Sequence, residues 1–233
     1  MKTYITIFFI LVGVQNSFSQ LSLFAKVEYN HFQMMDLKEY QNELLAGIVG
    51  GGIPAKITEN YPPYIGYQIG FKIPAEENIY VGGFGGYTST GSRIHYQDYS
   101  GELINDQIAS AYTFAGILGT KQLLFENLSL DLSLSLELII SSWDNKSTLT
   151  LGDSTQQVNL EFGSLSFSIE PTVTPTYSFK NMNIGLSASY LLCIPTSLEY
   201  SSISDAYLIH RNKNRVLIDW SGYRIGLIIG YVF

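Results

Sequence analysis

Hydrophobic and polar residues alternate strictly along several segments of the chain. In the clearest segment, serine, aspartate or glutamate fills the gaps between evenly spaced leucines, which are Leu128, Leu130, Leu132, Leu134, Leu136 and Leu138. Because successive side chains of a β-strand point to opposite faces, this pattern predicts a strand with one apolar and one polar face. The segment therefore lies at a boundary between a hydrophobic and a polar environment.

The same alternation recurs along the chain and predicts eight strands. They lie at about 21–31, 64–73, 79–87, 107–120, 128–138, 160–178, 184–190 and 222–233. Two prolines, Pro171 and Pro175, fall on the apolar face of the sixth strand. Because proline has no backbone N–H to donate, we expect bulges or missing hydrogen bonds at both positions.

Short and long connections alternate between these strands. The short ones are 74–78, 121–127 and 180–182, and the long ones are 32–63, 89–106, 143–158 and 195–215. Short turns on one side and long loops on the other are typical of barrels in the bacterial outer membrane. With this arrangement both ends of the barrel sequence lie on the periplasmic side.

Alternation alone does not decide which face is inside, since a soluble barrel carries its apolar face inward. The last strand favours a membrane barrel, because Tyr223 and Phe233 bracket an aliphatic stretch that spans about 25 Å at about 3.3 Å per residue and a tilt of roughly 40°. Phe167 and Tyr177 repeat this spacing. The polar faces carry mainly Gly, Ser and Thr, which suit a narrow interior. The prediction is an all-β, eight-stranded antiparallel up-and-down transmembrane β-barrel with long extracellular loops.

The first residues have the features of a secretory signal peptide. Lys2 precedes an apolar run from Ile5 to Val14, and Ser17 to Ser19 supply a short polar end. The alternative, a membrane-spanning helix, needs about 20 apolar residues, which is more than this run provides. We therefore expect residues 1–19 to be a signal peptide and residues 20–233 to form the outer-membrane barrel.

Composition is consistent with one membrane domain. The 233 residues are 14% charged and 46% hydrophobic, and they include 17 Tyr and 21 Gly. The formal charge of −7 argues against binding to nucleic acid, whose phosphates need Lys and Arg. The single cysteine, Cys193, cannot form an internal disulfide, and no nearby cation favours its thiolate, so we expect a small buried side chain.

The final strand also supports a family resemblance. It alternates apolar residues from Tyr223 onward and ends on the aromatic pair Tyr231 and Phe233. Together with the signal peptide and the eight strands, this ending resembles the small outer-membrane β-barrel proteins of Gram-negative bacteria over nearly all of the mature sequence. The resemblance implies a place in the cell outer membrane, contact with outer-membrane lipid, and recognition of Tyr231 and Phe233 by the barrel-assembly machinery during insertion.

Charged residues in the inward phase of the strands are the main candidates for a functional site. They are Lys26, Glu28, Lys72, Asp131, Glu137, Glu170 and Arg224. Because buried charges need partners, we predict a lumenal network in which Arg224 pairs with Glu28 on the neighbouring strand and with Glu137 or Glu170 across the interior. Such a network is either a stabilising polar core or part of a solute or proton path, and eight strands leave room for little but side chains.

Two of the long loops carry patterns of their own. Asp36 and Glu39 resemble a capping box, and the apolar residues that follow predict a short amphipathic helix at about 36–46. This helix could pack on the barrel mouth, lie on the membrane surface or bind a partner. Residues 90–106 resemble both strands of a hairpin that continues above the bilayer and offers strand edges to partners.

Sequence support for catalysis is thin. Some small outer-membrane barrels modify lipid A, and such chemistry needs a histidine beside a serine or an acidic group. His31, His95 and His210 all fall near loops, and only His95 has suitable neighbours, Ser92 and Asp98. In an extended segment these three residues are too close in sequence to converge, so we predict no catalytic site.

No metal or cofactor motif is apparent either. The chain has no paired His or Cys spacing of the kind zinc needs, and Asp153 and Asp205 stand singly in loops. We therefore predict a non-enzymatic outer-membrane barrel with a polar lumen filled by side chains, which acts as a structural or surface-binding protein and has a possible extracellular partner. The alternatives are a narrow channel or small-solute transporter and, after these, a lipid A-modifying enzyme.

Overall fold

The computed structural model describes residues 21–203 and 205–233, so the predicted signal peptide lies outside the described residues. These described residues form one helix and twelve strands in the order β1 (Ser22–Asn30), α1 (Met35–Gly50), β2 (Lys56–Asn60), β3 (Tyr64–Pro74), β4 (Ile79–Gln97), β5 (Gly101–Phe125), β6 (Leu128–Leu151), β7 (Ser154–Phe179), β8 (Met182–Cys193), β9 (Thr196–Ser197), β10 (Glu199–Tyr200), β11 (Leu217–Ile218) and β12 (Gly222–Val232). In this described part, no helix is long and apolar enough to cross a membrane.

Eight of the strands close into an antiparallel barrel. The ring runs β12, β1, β3, β4, β5, β6, β7, β8 and back to β12. β1 closes it without a register shift, since Ser22 faces Val232 and Asn30 faces Arg224. Closure leaves no free sheet edge at membrane depth, which is the condition for a β-structure to span a bilayer. The predicted fold class is confirmed.

The apolar faces of the strands point away from the barrel axis. On β6, Leu134 and Leu136 are 45% and 63% exposed, whereas the intervening Ser135 and Glu137 are 5% and 2% exposed. Exposed aromatic residues stand at both ends of this aliphatic band: Tyr29, Tyr67, Tyr87, Tyr112, Phe114, Phe167 and Tyr223 toward the long loops, and Phe125, Tyr177, Phe179, Tyr231 and Phe233 toward the short turns. An apolar belt between two aromatic girdles is the exterior of a transmembrane barrel.

Four neighbouring strands continue far beyond the outer girdle. β4 to β7 have 19 to 26 residues, whereas the other barrel strands have 9 to 12. From Tyr112 to the start of β5 the extension rises roughly 28 Å, at about 3.3 Å per residue and a tilt of about 40°. The hairpin predicted at 90–106 is present, but 143–158, predicted as a loop, is another hairpin of β6 and β7. Near the tip of this second hairpin, residues 151–160 are exposed on both faces, so burial does not impose a long, strict alternation there.

The two prolines remove pairing without shifting the register. β7 pairs with β8 from Ser168 opposite Cys193 to Phe179 opposite Met182, and the pairs that would contain Pro171 and Pro175 are missing. The register is the same before and after both gaps, so backbone hydrogen bonds are missing near the prolines and no bulge forms. On the other side, β6 pairs with both prolines in continuous register.

A hydrophobic core closes the outer mouth of the barrel. Leu37 of α1 and Trp220 before β12 belong to one buried cluster with Trp143 and Ile139 of β6 and Leu198 of the last long loop. The helix therefore packs on the mouth, as one of the three predicted placements had it. Its burial stabilises the loops by the same hydrophobic effect that folds soluble proteins.

The predicted capping box of this helix is wrong. α1 begins after Met34, which has a left-handed backbone conformation with φ 44°, and no side chain caps the N-terminus. Asp36 lies inside the first turn, and its carboxylate accepts a hydrogen bond from the backbone N–H of Leu217, at 2.8 Å. A long-range contact to the last loop replaces the local cap, and sequence spacing gives no signal for such a contact.

Candidate functional sites in the lumen and at the mouth

Five of the seven inward-facing charged residues meet in the upper half of the lumen. The guanidinium Nη1 of Arg224 lies 2.9 Å from Glu170 Oε2, 3.7 Å from Glu28 Oε1 and 3.9 Å from Glu137 Oε2. Lys26 Nζ lies 2.6 Å from Glu28 Oε2 and 3.7 Å from Glu170 Oε1. We call these five residues, contributed by β1, β6, β7 and β12, the lumenal charge network.

Neutral side chains add hydrogen bonds to the carboxylates of the network. Gln68 donates to Glu28 at 3.0 Å, and Ser135 donates to Glu137 at 2.9 Å. Ser189 donates to Glu170 on the side opposite Arg224. All five charged side chains of the network are at most 6% exposed. Such burial is tolerable only because ion pairs and hydrogen bonds replace the lost water.

The lumen beside the network is nearly filled. A cavity of about 40 Å³ remains there, and its wall includes Phe24, Phe84, Ile117 and Ile228 as well as Lys26. A water molecule takes up about 30 Å³ in the liquid, so this space is of the order of one or two waters. Bulky apolar side chains thus fill the lumen on the periplasmic side of the network.

Lys72 and Asp131 do not join the network. They form a separate ion pair, with 3.1 Å between Lys72 Nζ and Asp131 Oδ2, closer to the periplasmic end. The Lys72 ammonium also lies 4.4 Å from the centre of the Tyr80 ring, a cation–π distance. The seven predicted residues therefore form two sites at different heights of the barrel.

The two residues predicted as an assembly signal lie on the outer surface. Tyr231 and Phe233 are 47% and 61% exposed, and their rings pack edge to face with centroids 5.0 Å apart. The backbone N–H of Phe233 donates to the carbonyl of Leu21, which ties the end of the chain to its neighbour strand. Both side chains belong to the periplasmic aromatic girdle.

At the mouth, a buried polar chain crosses the hydrophobic core. Trp143 Nε1 donates to the Tyr61 hydroxyl at 3.0 Å, and that hydroxyl donates to Gln107 Oε1 at 2.8 Å. Ser92 donates to the same Gln107 oxygen at 3.0 Å. Burial raises the pKa of Tyr61 far above its ordinary range, so the phenol stays neutral. These hydrogen bonds could not be predicted from the sequence, because Tyr61 and Trp143 fall in segments without alternation.

The histidine cluster considered for catalysis does not converge. Ser92 is buried against Gln107, whereas His95 Nε2 lies 2.9 Å from Glu102 on the partner strand of the hairpin. Asp98 is engaged at the hairpin tip with Tyr96 and Ser100. Serine, histidine and aspartate thus have three different sets of partners, and the hydrogen bonds that a nucleophile and its base require are not formed among them.

The other two histidines are also apart from any such group. His31 is exposed, with its ring 6.4 Å from that of Tyr223 in the outer girdle. His210 is buried between Asp36 and Glu43 of α1, at 3.6 and 3.2 Å, and helps to hold the last loop on the helix. Among residues 21–203 and 205–233, no group of three or more His, Cys, Asp or Glu could hold a metal ion.

The hairpin of β4 and β5 ends in a hydrogen-bonded, highly exposed tip. Asp98 Oδ1 accepts hydrogen bonds from the backbone N–H groups of Ser100 and Gly101 and from the Ser100 hydroxyl, and Oδ2 accepts one from Tyr96. The Ser100 and Tyr96 hydroxyls lower the pKa of Asp98 to about 2. Beside it, Tyr99 is fully exposed.

One edge of the extracellular sheet is open. β2 covers the β4 edge from Ser92 to His95. On the other side, β10 pairs with β7 only at Phe162 and Gly163, and residues 154–160 of β7 have no strand partner there among the described residues. All seven side chains of this segment, which we call the β7 edge, are exposed, and none is charged or proline. Exposed edge strands of natural proteins usually carry a charged residue or a proline, which prevents another strand from pairing with them.

The closed ring, the lipid-facing apolar belt and the polar lumen define the protein as an eight-stranded outer-membrane β-barrel. No family model matches its sequence, and no curated protein matches it. Among solved structures, the chain is similar to Ail, the attachment invasion locus protein of Yersinia pestis, with 11% identity and a TM-score of 0.35 over 92% of this chain and 99% of Ail.

Two further solved structures are similar at the same level. The outer-membrane protease OmpT of Escherichia coli has 9% identity and a TM-score of 0.27, over 92% of this chain and 95% of OmpT. LpxR from Salmonella typhimurium has 10% identity and a TM-score of 0.26, over 91% of this chain and 100% of LpxR. Such values say nothing about activity.

Proposed function

We propose that the protein is a closed barrel that binds a protein partner at the cell surface through its extracellular sheet. The β7 edge carries this proposal, because its unpaired backbone groups stand above the bilayer and lack the charges or proline that normally block strand addition. An extended segment of a partner would add to β7 as a further strand. Backbone hydrogen bonds would supply most of its affinity, and Val158 and Leu160 would contact alternate side chains.

The interior of the barrel supports the same proposal and weakens the channel alternative. The lumenal charge network, the apolar side chains below it and the hydrophobic core at the mouth all occupy the axis. Removing one partner of a buried ion pair costs several kcal/mol, about 3–5, so opening this path is expensive. The lumen therefore serves to hold the scaffold on which the extracellular sheet is displayed.

The first test measures conduction. The purified protein, refolded and inserted into a planar bilayer, should give no steady single-channel steps. Arg224→Met, which breaks the network, serves as the comparison and should give irregular current because the lumen is no longer held shut. Steady steps from the wild-type protein would contradict the proposed closed barrel and favour the channel.

The second test measures binding at the sheet edge. Val158→Lys places a charge on the exposed β7 edge, whereas Thr148→Lys places the same charge on the interior strand β6. Cells that express the wild type should be retained on protein-coated surfaces more than on polysaccharide-coated ones. Retention should fall about tenfold with Val158→Lys and less than twofold with Thr148→Lys, by analogy with the way lysine protects natural edges. Equal effects of the two variants would refute the edge as the binding element.

A further inference from the structure

The periplasmic end of the barrel holds a cavity that the proposed function does not use. Its volume is about 210 Å³, and all eight barrel strands contribute to its wall. Phe24, Ile79 and Ile228 supply apolar wall, and the Lys72–Asp131 pair supplies the charges inside the barrel. The other charged residues of the wall are Glu76, Glu77 and Lys121, and both glutamates are exposed to water, which screens their charge. The cavity lies at the opposite end of the molecule from the extracellular sheet, so a ligand here would be independent of the surface partner.

The ion pair inside the barrel adds no net charge of its own to the cavity. The side chains of Lys72 and Asp131 are 19% and 10% exposed, and their heads lie 3.1 Å apart. The positive and the negative charge therefore compensate each other. A ligand with a charge of its own would have to compete with this pair, and an ion left unpaired in such a place is costly.

Two polar atoms of the wall have unused hydrogen-bonding capacity. The Tyr80 hydroxyl and Asp131 Oδ1 are buried and have no hydrogen-bond partner among the described residues. Tyr80 is only 7% exposed, and its ring lies so close to Gly119 that an added Cβ would meet it at 2.4 Å. The ring is thus fixed in place, and its hydroxyl stays beside the cavity.

The chemistry of these atoms selects a class of ligand. Asp131 Oδ1 can only accept a hydrogen bond, whereas the Tyr80 hydroxyl can both donate and accept. Hydroxyl groups on a ligand can serve both, and the C–H faces of a sugar ring can pack against Phe24 and Ile228. A purely apolar ligand would leave both polar atoms without partners, which disfavours it.

We propose that this cavity is a binding site for a neutral, polyhydroxylated small molecule of monosaccharide size. The ligand enters from the periplasm, accepts from Lys72, donates to Asp131 and exchanges a hydrogen bond with Tyr80. The cavity volume of about 210 Å³ is several times the roughly 30 Å³ that one water occupies in the liquid, so the cavity has room for a small organic molecule.

Three hexoses with the same ring test the class of ligand. D-Glucose is neutral, D-glucosamine carries a positive charge and D-glucuronate carries a negative one. Saturation-transfer NMR on the full barrel in dodecylphosphocholine micelles, which contain no sugar, should show binding of D-glucose in preference to the other two. No transfer to D-glucose above that of empty micelles would mean a cavity filled only by water and would overturn the proposal. Stronger binding of either charged hexose would overturn the neutral class.

A conservative variant tests the location. Tyr80→Phe keeps the ring beside Gly119 and removes only the hydroxyl, so it should weaken D-glucose binding about fivefold, as expected for one neutral hydrogen bond. Asp153→Asn at the extracellular tip is the matched control and should bind as the wild type does. In the wild type, D-glucose should also shift the methyl signals of Ile228 but not those of Ile139 in the mouth. Unchanged affinity in Tyr80→Phe, or shifts at Ile139 alone, would place binding elsewhere and refute the site.

Discussion

Replacing Arg224 by methionine tests the lumenal charge network most directly. Arg224 is 4% exposed and lies within 3.9 Å of three carboxylates, with Glu170 the nearest at 2.9 Å. Without it, Lys26 is the cation that remains in the network, and it pairs with Glu28 and Glu170. Leaving a buried charge without its partner costs about 3–5 kcal/mol, and we expect the free energy of unfolding to fall by this amount.

Arg93→Met is the matched control because it removes an ion pair at the surface. Arg93 pairs with Asp106 on the extracellular hairpin, and the two side chains are 47% and 25% exposed. Water screens such a pair, so its loss should cost about 0–1 kcal/mol. The same substitution thus separates the effect of burial from the effect of removing an arginine.

Equilibrium urea unfolding in lipid vesicles measures both losses. Far-UV circular dichroism follows the barrel, and the fluorescence of the buried Trp143 and Trp220 follows the mouth. A double variant, Arg224→Met with Glu170→Gln, removes one charge of each sign and should recover part of the loss, because the two residues interact directly. A loss in Arg224→Met no larger than in Arg93→Met, or a double variant as unstable as the sum of its singles, would refute the ionic account.

Two further predictions concern tight packing and the hairpin tip. Gly119→Ala brings a Cβ to 2.4 Å from the Tyr80 ring and should lower the free energy of unfolding by about 1–3 kcal/mol in the same urea assay, whereas Gly116→Ala meets open space toward lipid and should change it little. At the tip, the pKa of Asp98 is lowered to about 2, so its contribution to local order is complete above the ordinary carboxyl pKa and is lost as pH falls through about 2. The NMR shift of the Ser100 amide, which Asp98 holds, should move in that range and be already displaced at neutral pH in Asp98→Ala; an amide that titrates near the ordinary carboxyl pKa would contradict this.

The alternation of apolar and polar residues along the strands made it possible to predict the barrel from the sequence. Where β6 crosses the membrane, lipid faces one side and the lumen the other, so leucines and polar residues must alternate, and the outward Leu136 and inward Glu137 follow directly. The same phase predicts that seven charged residues face inward, and the structure places them inside the barrel. Their division into two groups could not be predicted, because it depends on the height that strand tilt and stagger give each residue along the axis.

The parts of the chain outside the bilayer were harder to predict from the sequence. Trp143 and Tyr61 meet through loop contacts between residues far apart in sequence, and no periodic pattern marks such contacts. The β6–β7 hairpin was predicted as a loop because residues 151–160 near its tip are exposed on both faces, so burial imposes no long, strict alternation on them. The β7 edge, on which the proposed function rests, lies in this hairpin.

Different forces hold the two halves of the molecule. At membrane depth the apolar side chains already face lipid, so water exclusion does little to organise the interior, and ion pairs and hydrogen bonds among groups such as Arg224 and Glu170 specify it. At the mouth, a core that includes Trp143, Trp220 and Leu37 excludes water as in a soluble domain. A change in the core should therefore loosen α1 and the last loop before it affects the ring, while a change in the network acts on the ring itself. This separation allows the extracellular surface to vary without loss of the barrel that carries it.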